Sequence, residues 1–222
     1  MRTERFPVVA QPRLYRGLYL PTNYNPAMVA GIILAAGRST RMGRSKALLT
    51  TPDGPTFVAR LIQTLVGGGV DSPLVVGRPD DDALRAEVES LGARFVINPD
   101  ADAGGQLSSL LAGLDKADRP GIRGVMVIPV DAPMVRPETV SRLIAVFKDT
   151  TGSIVRPRYQ DRNGHPVIFS RGVFDELRHA NPEIGAKAVL RAHQDEIINV
   201  QVDDPGVAAD IDTPDDYEKL VK

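Results

Sequence analysis

The sequence predicts an α/β fold: a three-layer α/β/α sandwich built on a mostly parallel sheet. Three observations carry that expectation. Strand-like and helix-like segments alternate from Ala30 to the end of the chain, the pattern of a sheet covered by helices on both faces. Two of the strand-like runs, Ala30–Ala36 and Arg123–Val130, are largely apolar, as strands buried on both faces must be. Glycines and prolines punctuate the segments where helices and strands should stop and start.

Taken in order, Ala30–Ala36 is a short buried strand broken by Gly37. Thr56–Val66 has helical apolar spacing and stops at Gly67-Gly68-Gly69. Pro73–Gly77 is a strand, Asp80–Leu91 an amphipathic helix closed by Gly92, and Ala93–Asn98 a third strand. Gln106–Lys116 is helical and Arg123–Val130 is a strand. Pro137–Lys148 is a helix with proline in its first turn, where the missing N–H costs nothing. Gly152–Arg156 and Pro166–Ser170 form a strand pair joined through a polar turn containing Asn163-Gly164, so one strand at least should run antiparallel. Helices at Arg171–His179 and Ile184–His193, a strand at Glu196–Val202 and a helix from Thr213 complete the pattern.

Composition narrows the function. The 222 residues carry 42% hydrophobic and 25% charged side chains, ordinary for a globular chain with one large core. Lys and Arg number 27 against 28 acidic residues, so no overall basic field points to nucleic acid or a membrane surface. The absence of cysteine rules out disulfides, thiolate metal sites and cysteine nucleophiles. No apolar run reaches a membrane span, and the first residues lack a signal-peptide core; a cytoplasmic location is the expectation. Residues 1–27 hold four prolines and three tyrosines without sustained periodicity. They read as a non-core N-terminal extension, or as an arm packing on the domain or a partner subunit, ahead of a single domain at 28–222.

The most informative string follows the first strand: Leu34-Ala35-Ala36-Gly37-Arg38-Ser39-Thr40-Arg41-Met42-Gly43-Arg44-Ser45-Lys46. Gly37 and Gly43 permit positive φ and close approach of backbone to a ligand. Successive N–H groups in such a turn form an anion-binding concavity, and Arg38, Arg41 and Lys46 add charge-assisted bonds to phosphate oxygens. Neither the Walker pattern nor the G-x-G-x-x-G fingerprint fits. The bland alternative is a glycine turn with solvated basic residues.

This string resembles the signature of small nucleotidyltransferases related to the molybdenum cofactor guanylyl- and cytidylyltransferases. More loosely, it resembles methylerythritol-phosphate cytidylyltransferases and sugar-nucleotide pyrophosphorylases. The resemblance continues along nearly all of 28–222 and implies a Rossmann-like nucleotidyltransferase sheet. It implies transfer of a nucleoside monophosphate from an NTP to a phosphorylated acceptor such as molybdopterin, with release of pyrophosphate. Leu34, Ala35, Ala36, Gly37, Arg38, Ser39 and Gly43 would bind the nucleotide, and Lys46 and Arg41 would be catalytic cations. Ala35-Ala36-Gly37 matches the cytidylyltransferases, where the guanylyltransferases typically carry Ala-Gly-Gly, which implies CTP. Gly105–Leu114 is similar to the segment in which a serine reads the pyrimidine. Ser109, with Ser108 beside it, would take that role, unless both simply cap the helix.

Two carboxylate stations follow. Asp131 lies just past a buried strand in Val130-Asp131-Ala132-Pro133 and resembles the family's Mg²⁺-binding Asp-x-Pro motif. The next helix starts too late for Asp131 to cap it. Ala209-Asp210-Ile211-Asp212-Thr213-Pro214 looks like the family's second metal motif, so Asp212 shares the metal and Asp210 supports it. Asp215 and Asp216 are explained by capping. Mg²⁺ suits this pattern, being usually held by one or two carboxylates plus substrate phosphates.

On the acceptor side, Asn163-Gly164-His165-Pro166 resembles the family's Gly-His-Pro strand, so Gly164 and His165 would border the acceptor, although a loop histidine is as readily structural. Asn181-Pro182-Glu183-Ile184-Gly185-Ala186 replaces the family's Gly-Asp with Pro182-Glu183, leaving Glu183 as an acidic acceptor contact. An enzyme or chaperone that receives the finished cofactor is an implied partner. Three readings stand: a molybdopterin cytidylyltransferase, a nucleotidyltransferase for another phosphorylated metabolite such as a sugar or alcohol phosphate, and a non-catalytic nucleotide-binding domain that delivers a cofactor. Intact Lys46, Asp131 and Asp212 argue against the last.

Overall fold

The computed structural model describes residues 28–39, 42–43 and 45–222. The N-terminal extension and Arg41 therefore lie outside the described residues. The sheet runs in the order β3 (Arg94–Ile97), β2 (Leu74–Gly77), β1 (Val29–Leu34), β4 (Gly124–Pro129), β7 (Val167–Ser170), β5 (Ile154–Tyr159), β6 (Arg162–Asn163), with β8 (Ile197–Gln201) alongside β5. β1 to β4 are mutually parallel, β7 runs antiparallel between β4 and β5, and β8 is parallel to β5. The mostly parallel α/β sandwich expected from the sequence is the fold observed.

Alternation along β1 explains the two layers. Val29 and Ile33 face a cluster built with α1 (Phe57–Gly67), α2 (Asp82–Ser90) and α4 (Pro137–Lys148). Ala30, Ile32 and Leu34 face α3 (Gly105–Ala117), α5 (Phe174–Arg178) and α6 (Lys187–Ala192). Successive strand residues point to opposite faces, so a strand covered on both sides must be apolar throughout, and all six residues of β1 are buried. Fully burying an Ile or Leu side chain contributes about 1.5–3 kcal/mol; Ile32 and Ile33 are both 0% exposed.

Local chemistry sets the helix ends. Thr56 caps α1 by accepting from Ala59 N–H at 3.2 Å, and Pro137 opens α4. Thr213 and Asp216 form a capping box at α7 (Pro214–Val221). Asp81 caps α2, which is shorter than the Asp80–Leu91 helix expected. Two helices depart further. Arg171–His179 is a 3-10 turn at Arg171–Val173 followed by α5. Gly185, at φ 69°, ends the stretch that would have started a helix at Ile184, so α6 begins only at Lys187. The hairpin turn also falls elsewhere: β5 and β6 pair Tyr159 with Arg162, leaving Gln160 (φ 52°) and Asp161 as the loop, with Asn163 inside β6. No helix among the described residues is long and apolar enough to cross a membrane.

His193 closes α6 and ties three elements together. Its Nε2 lies 2.8 Å from Glu176 of α5 and its Nδ1 lies 3.3 Å from Glu196. Bonding to Glu176 raises the imidazole above its ordinary value against a burial penalty, with Glu196 adding to the rise. The folded protein holds this proton more tightly than the unfolded chain. The bridge therefore contributes in full below the unfolded pKa of about 6.5 and fades as pH climbs through the higher folded value. In thermal unfolding, His193→Gln should lower Tm more near pH 6 than near pH 9, roughly either side of that window; a pH-independent difference would show that the bridge carries no charge.

Candidate active site

Ligands of open α/β sheets collect beyond the strands' carboxyl ends where strand order reverses. Here the reversal lies between β1, which leads outward to β2 and β3, and β4 on its other side. A cavity of about 350 Å³ opens there, lined by Leu34 at the end of β1, by Ala36, Gly37 and Ser39 after it, and by Pro129, Val130 and Asp131 at the end of β4. Lys46, Ala101, Gly105, Gln106, Ser109 and Asp212 complete it.

The glycine loop behaves partly as expected. Gly43 takes positive φ (65°), but the second left-handed residue is Ser39 (φ 50°) and not Gly37. Among the described residues, and apart from its two chain neighbours, a Cβ at Gly37 would meet no atom within 4 Å, and Gly37 lines the cavity. Ser39 Oγ accepts from Lys46 N–H at 3.1 Å, which draws the two ends of the loop together. Ala35 and Ala36 are buried where β1 ends. Arg38 does not itself line this cavity; its guanidinium bonds the carboxylate of Asp102.

Lys46 stands between the two carboxylate stations. Its Nζ lies 2.6 Å from Asp212 and 3.7 Å from Asp131, and its side chain is 11% exposed against 43% and 27% for those acids. Burial pushes the Asp131 carboxyl above its ordinary range; Lys46 opposes the shift, while Asp210 and Asp212 add to it. The stations are stitched together by Ile211 N–H donating to Asp131 O at 2.8 Å. Asp216 takes the N–H groups of Asp212 (3.2 Å) and Thr213 (2.9 Å) on one oxygen, which fixes the backbone that carries Asp212.

Ser108 and Ser109 are not helix caps: Gly104 holds that position, with no side-chain cap. Asn98, directly after β3, donates Nδ2 to Ser108 Oγ at 2.8 Å and to Ser109 Oγ at 3.0 Å. Ser109 faces the cavity, whereas Ser108 bonds the carbonyls of Gly105 and Asp100. Asn98, 1% exposed, escaped the sequence reading, and its one signal is its place immediately after a strand.

A second cavity of about 540 Å³ adjoins the first and shares Leu34, Gly105, Gln106 and Pro129 with it. Gly164, His165 and Glu183 all line it, with Arg156, Arg162, Lys187 and Asp210 as further charged groups. Burial lowers the His165 pKa, which leaves the ring neutral near pH 7, and its Nδ1 is buried without a partner among the described residues. Glycine at 164 has a packing cause: a Cβ would sit 1.8 Å from Val207 O, and His165 N–H donates to that same oxygen at 2.8 Å.

A glycine loop at the switch point of a mostly parallel sheet defines an α/β enzyme that handles nucleotides. The chain belongs to the family described as the MobA-like NTP transferase domain, whose model matches residues 31–197, and it is a nucleotidyltransferase by that membership. It is 28% identical to the purine catabolism protein PucB of Bacillus subtilis over 202 residues, covering 86% of this chain and 94% of that protein. It is 31% identical to a molybdenum cofactor guanylyltransferase of Burkholderia vietnamiensis over 128 residues, covering 58% and 60%. The crystal structure of Rv0371c from Mycobacterium tuberculosis superposes with a TM-score of 0.75 at 30% identity, covering 89% of this chain and 99% of that one. Rv0371c has also been solved as a manganese complex.

Gly164→Ala should test the close packing beside the second cavity. The neighbouring atom is backbone, so the segment leading to Asp210 must shift, and overpacking of this kind costs about 1–3 kcal/mol. Urea denaturation should show the loss; an unchanged midpoint would mean that the contact relaxes freely.

Proposed function

We propose that the chain is a Mg²⁺-dependent cytidylyltransferase, moving CMP from CTP to a phosphorylated acceptor such as molybdopterin. The observation that carries this reading is Lys46 placed between Asp131 and Asp212 at the floor of the glycine-loop cavity. Two carboxylates at one edge of a cavity, with room for waters and phosphates, match the donor set Mg²⁺ prefers. Among the described residues no cluster of three acidic or imidazole groups exists that would make a cage without substrate.

In this reading the base enters between Ala36 and Ser109, and the triphosphate runs along the glycine loop toward Lys46, with Arg41 as a further catalytic cation. An acceptor phosphate oxygen attacks the α-phosphorus, its new P–O bond forming as the bond to the β-phosphate bridging oxygen breaks and pyrophosphate leaves. The nucleophile is already an anion, so no protein base or nucleophile is needed; the chain's work is positioning and charge. Asp131 and Asp212 would hold Mg²⁺, which when bound supplies positive charge to the phosphate oxygens. Lys46, released from Asp212 by the incoming phosphates, supports the leaving pyrophosphate. The second cavity receives the acceptor, with Arg156, Arg162 and Lys187 offering charge to an anion and neutral His165 bordering it.

A second reading is a guanylyltransferase, or transfer to a different phosphorylated metabolite. The guanylyltransferase among the relatives favours the first of these, and the Pro182-Glu183 turn in the acceptor wall favours the second. Pyrophosphate release from each common NTP, with and without candidate acceptors, separates the readings.

Asp131→Asn and Asp212→Asn should each lower metal-dependent turnover by at least roughly a hundredfold, as the loss of a charge-stabilising group typically does, with an unchanged circular dichroism spectrum. Wild-type rates at saturating Mg²⁺ in both variants would refute the metal assignment.

CTP should be preferred over GTP by about 10–200-fold, the range for a methyl-sized steric difference in a pocket. The buried Ala36 methyl narrows the space beside the base, so Ala36→Gly should erode the preference. Equal specificity constants in the unmodified enzyme would sink the cytidylyl assignment.

A further inference from the structure

Two separate loops contribute to the lining of the nucleotide cavity. Gly37 and Ser39 line it from the glycine loop, and Ala101 and Gly105 line it from the turn before α3. The intervening side chains of Arg38 and Asp102 meet each other. Arg38 Nε and Nη2 donate to the two Asp102 oxygens, each at 2.7 Å. Arg78, directly after β2, donates Nη1 and Nη2 to those same oxygens at 2.6 and 3.0 Å, and its Nε to Asp80 at 3.0 Å. The Arg78 side chain is 10% exposed, while Arg38 and Asp102 are 59% and 56% exposed. Arg78 is thus fixed by packing and aims the carboxylate, and Arg38 ties the glycine loop to the loop that carries Asp102.

We propose that the Arg38–Asp102 ion pair is a clasp between two loops that line the nucleotide cavity and so sets the width of the slot the base enters, making Asp102 a determinant of pyrimidine over purine choice. The inference rests on the placement of the base between Ala36 and Ser109. An isolated exposed ion pair contributes little. This one is a planar two-pronged fork onto a carboxylate that a second, buried fork already holds, so its geometry is fixed before the ligand arrives. A pyrimidine leaves the clasp closed. A purine, wider by a fused ring, must part the walls and lose both Arg38 bonds.

The test is calorimetric titration of the full chain with CTP and with GTP, in Mg²⁺ and without acceptor, for the wild type, Asp102→Asn and Asp102→Ala. The ratio of Kd for GTP to Kd for CTP should fall about tenfold in both variants, within the range of pocket-size discrimination, chiefly through tighter GTP binding. Raising the salt from about 0.05 M to 0.5 M, which shortens screening lengths several-fold, should lower the same ratio in the unmodified protein and leave it constant in Asp102→Ala. The wild-type arm of that salt series needs no variant, so the proposal stays testable even if both substitutions compromise folding. A ratio unchanged within roughly twofold, or equal weakening of both nucleotides, overturns the clasp. Tighter GTP than CTP binding in the wild type overturns only the cytidylyl reading, because the clasp is judged by the shift in the ratio.

Discussion

The arrangement of this molecule turns on one ammonium group held between two carboxylates. Lys46 reaches Asp212 from 166 residues away and faces Asp131 from the end of a third element. The two acids without the cation, or the cation without the acids, would be unfavourable in that place. The two acids would repel at the buried end of a cleft, and an unpaired buried cation costs about 3–5 kcal/mol, a figure reduced here because Asp212 is 43% exposed to screening solvent. Together they offset one another. On the proposed metal assignment, the same two carboxylates that hold the ammonium would turn to a divalent cation when phosphates arrive.

The rest of the fold serves to hold those three groups in register. Parallel pairing of β1 with β4 sets Leu34 opposite Pro129, so the glycine loop and the Asp131 turn leave the sheet side by side. The C-terminal segment is pinned by the buried Asp204, whose carboxylate accepts from Thr139 Oγ1 at 2.6 Å, Arg136 N–H at 2.9 Å and Gly206 N–H at 3.0 Å. The bond from Ile211 to Asp131 then fixes the second station against the first. At the far end, Tyr217 packs against Phe57 with ring centroids 6.0 Å apart and donates its hydroxyl to Thr50 O, which anchors α7 to the helix that follows the loop. Each contact is ordinary by itself. Their common effect is that the Asp212 strand-like approach has little freedom left.

What the sequence disclosed and what it withheld divide along a physical line. Features encoded locally were legible: the Pro137 helix has its expected bounds, the Thr213 capping box formed, and Lys46, Asp131 and Asp212 converge as their positions after strands and before helices suggested. Features that depend on tertiary register were not. Arg38, Arg78 and Asp102 are separated by 24 and 64 positions along the chain, and no period or motif ties them together. Asn163-Gly164 carried a strong turn signal, yet the turn formed at Gln160-Asp161, because Gly164 was needed where the chain passes within contact of Val207. A glycine can answer to two demands, and sequence alone does not say which one governs.

The two cavities meet at a seam of only four residues, Leu34, Gly105, Gln106 and Pro129. On one side of the seam lie the strand ends and the charged triad; on the other lie the short β5–β6 hairpin and the turn from Asn181 to Ala186. Hairpin tips and surface turns tolerate replacement and lengthening far better than buried strand ends. The molecule is therefore divided into a conservative half and a permissive half. With the acceptor placed in the second cavity as proposed, lineages descended from such an architecture would trade one recipient of the nucleotide for another by remodelling the permissive half, while inheriting the proposed transfer centre unaltered.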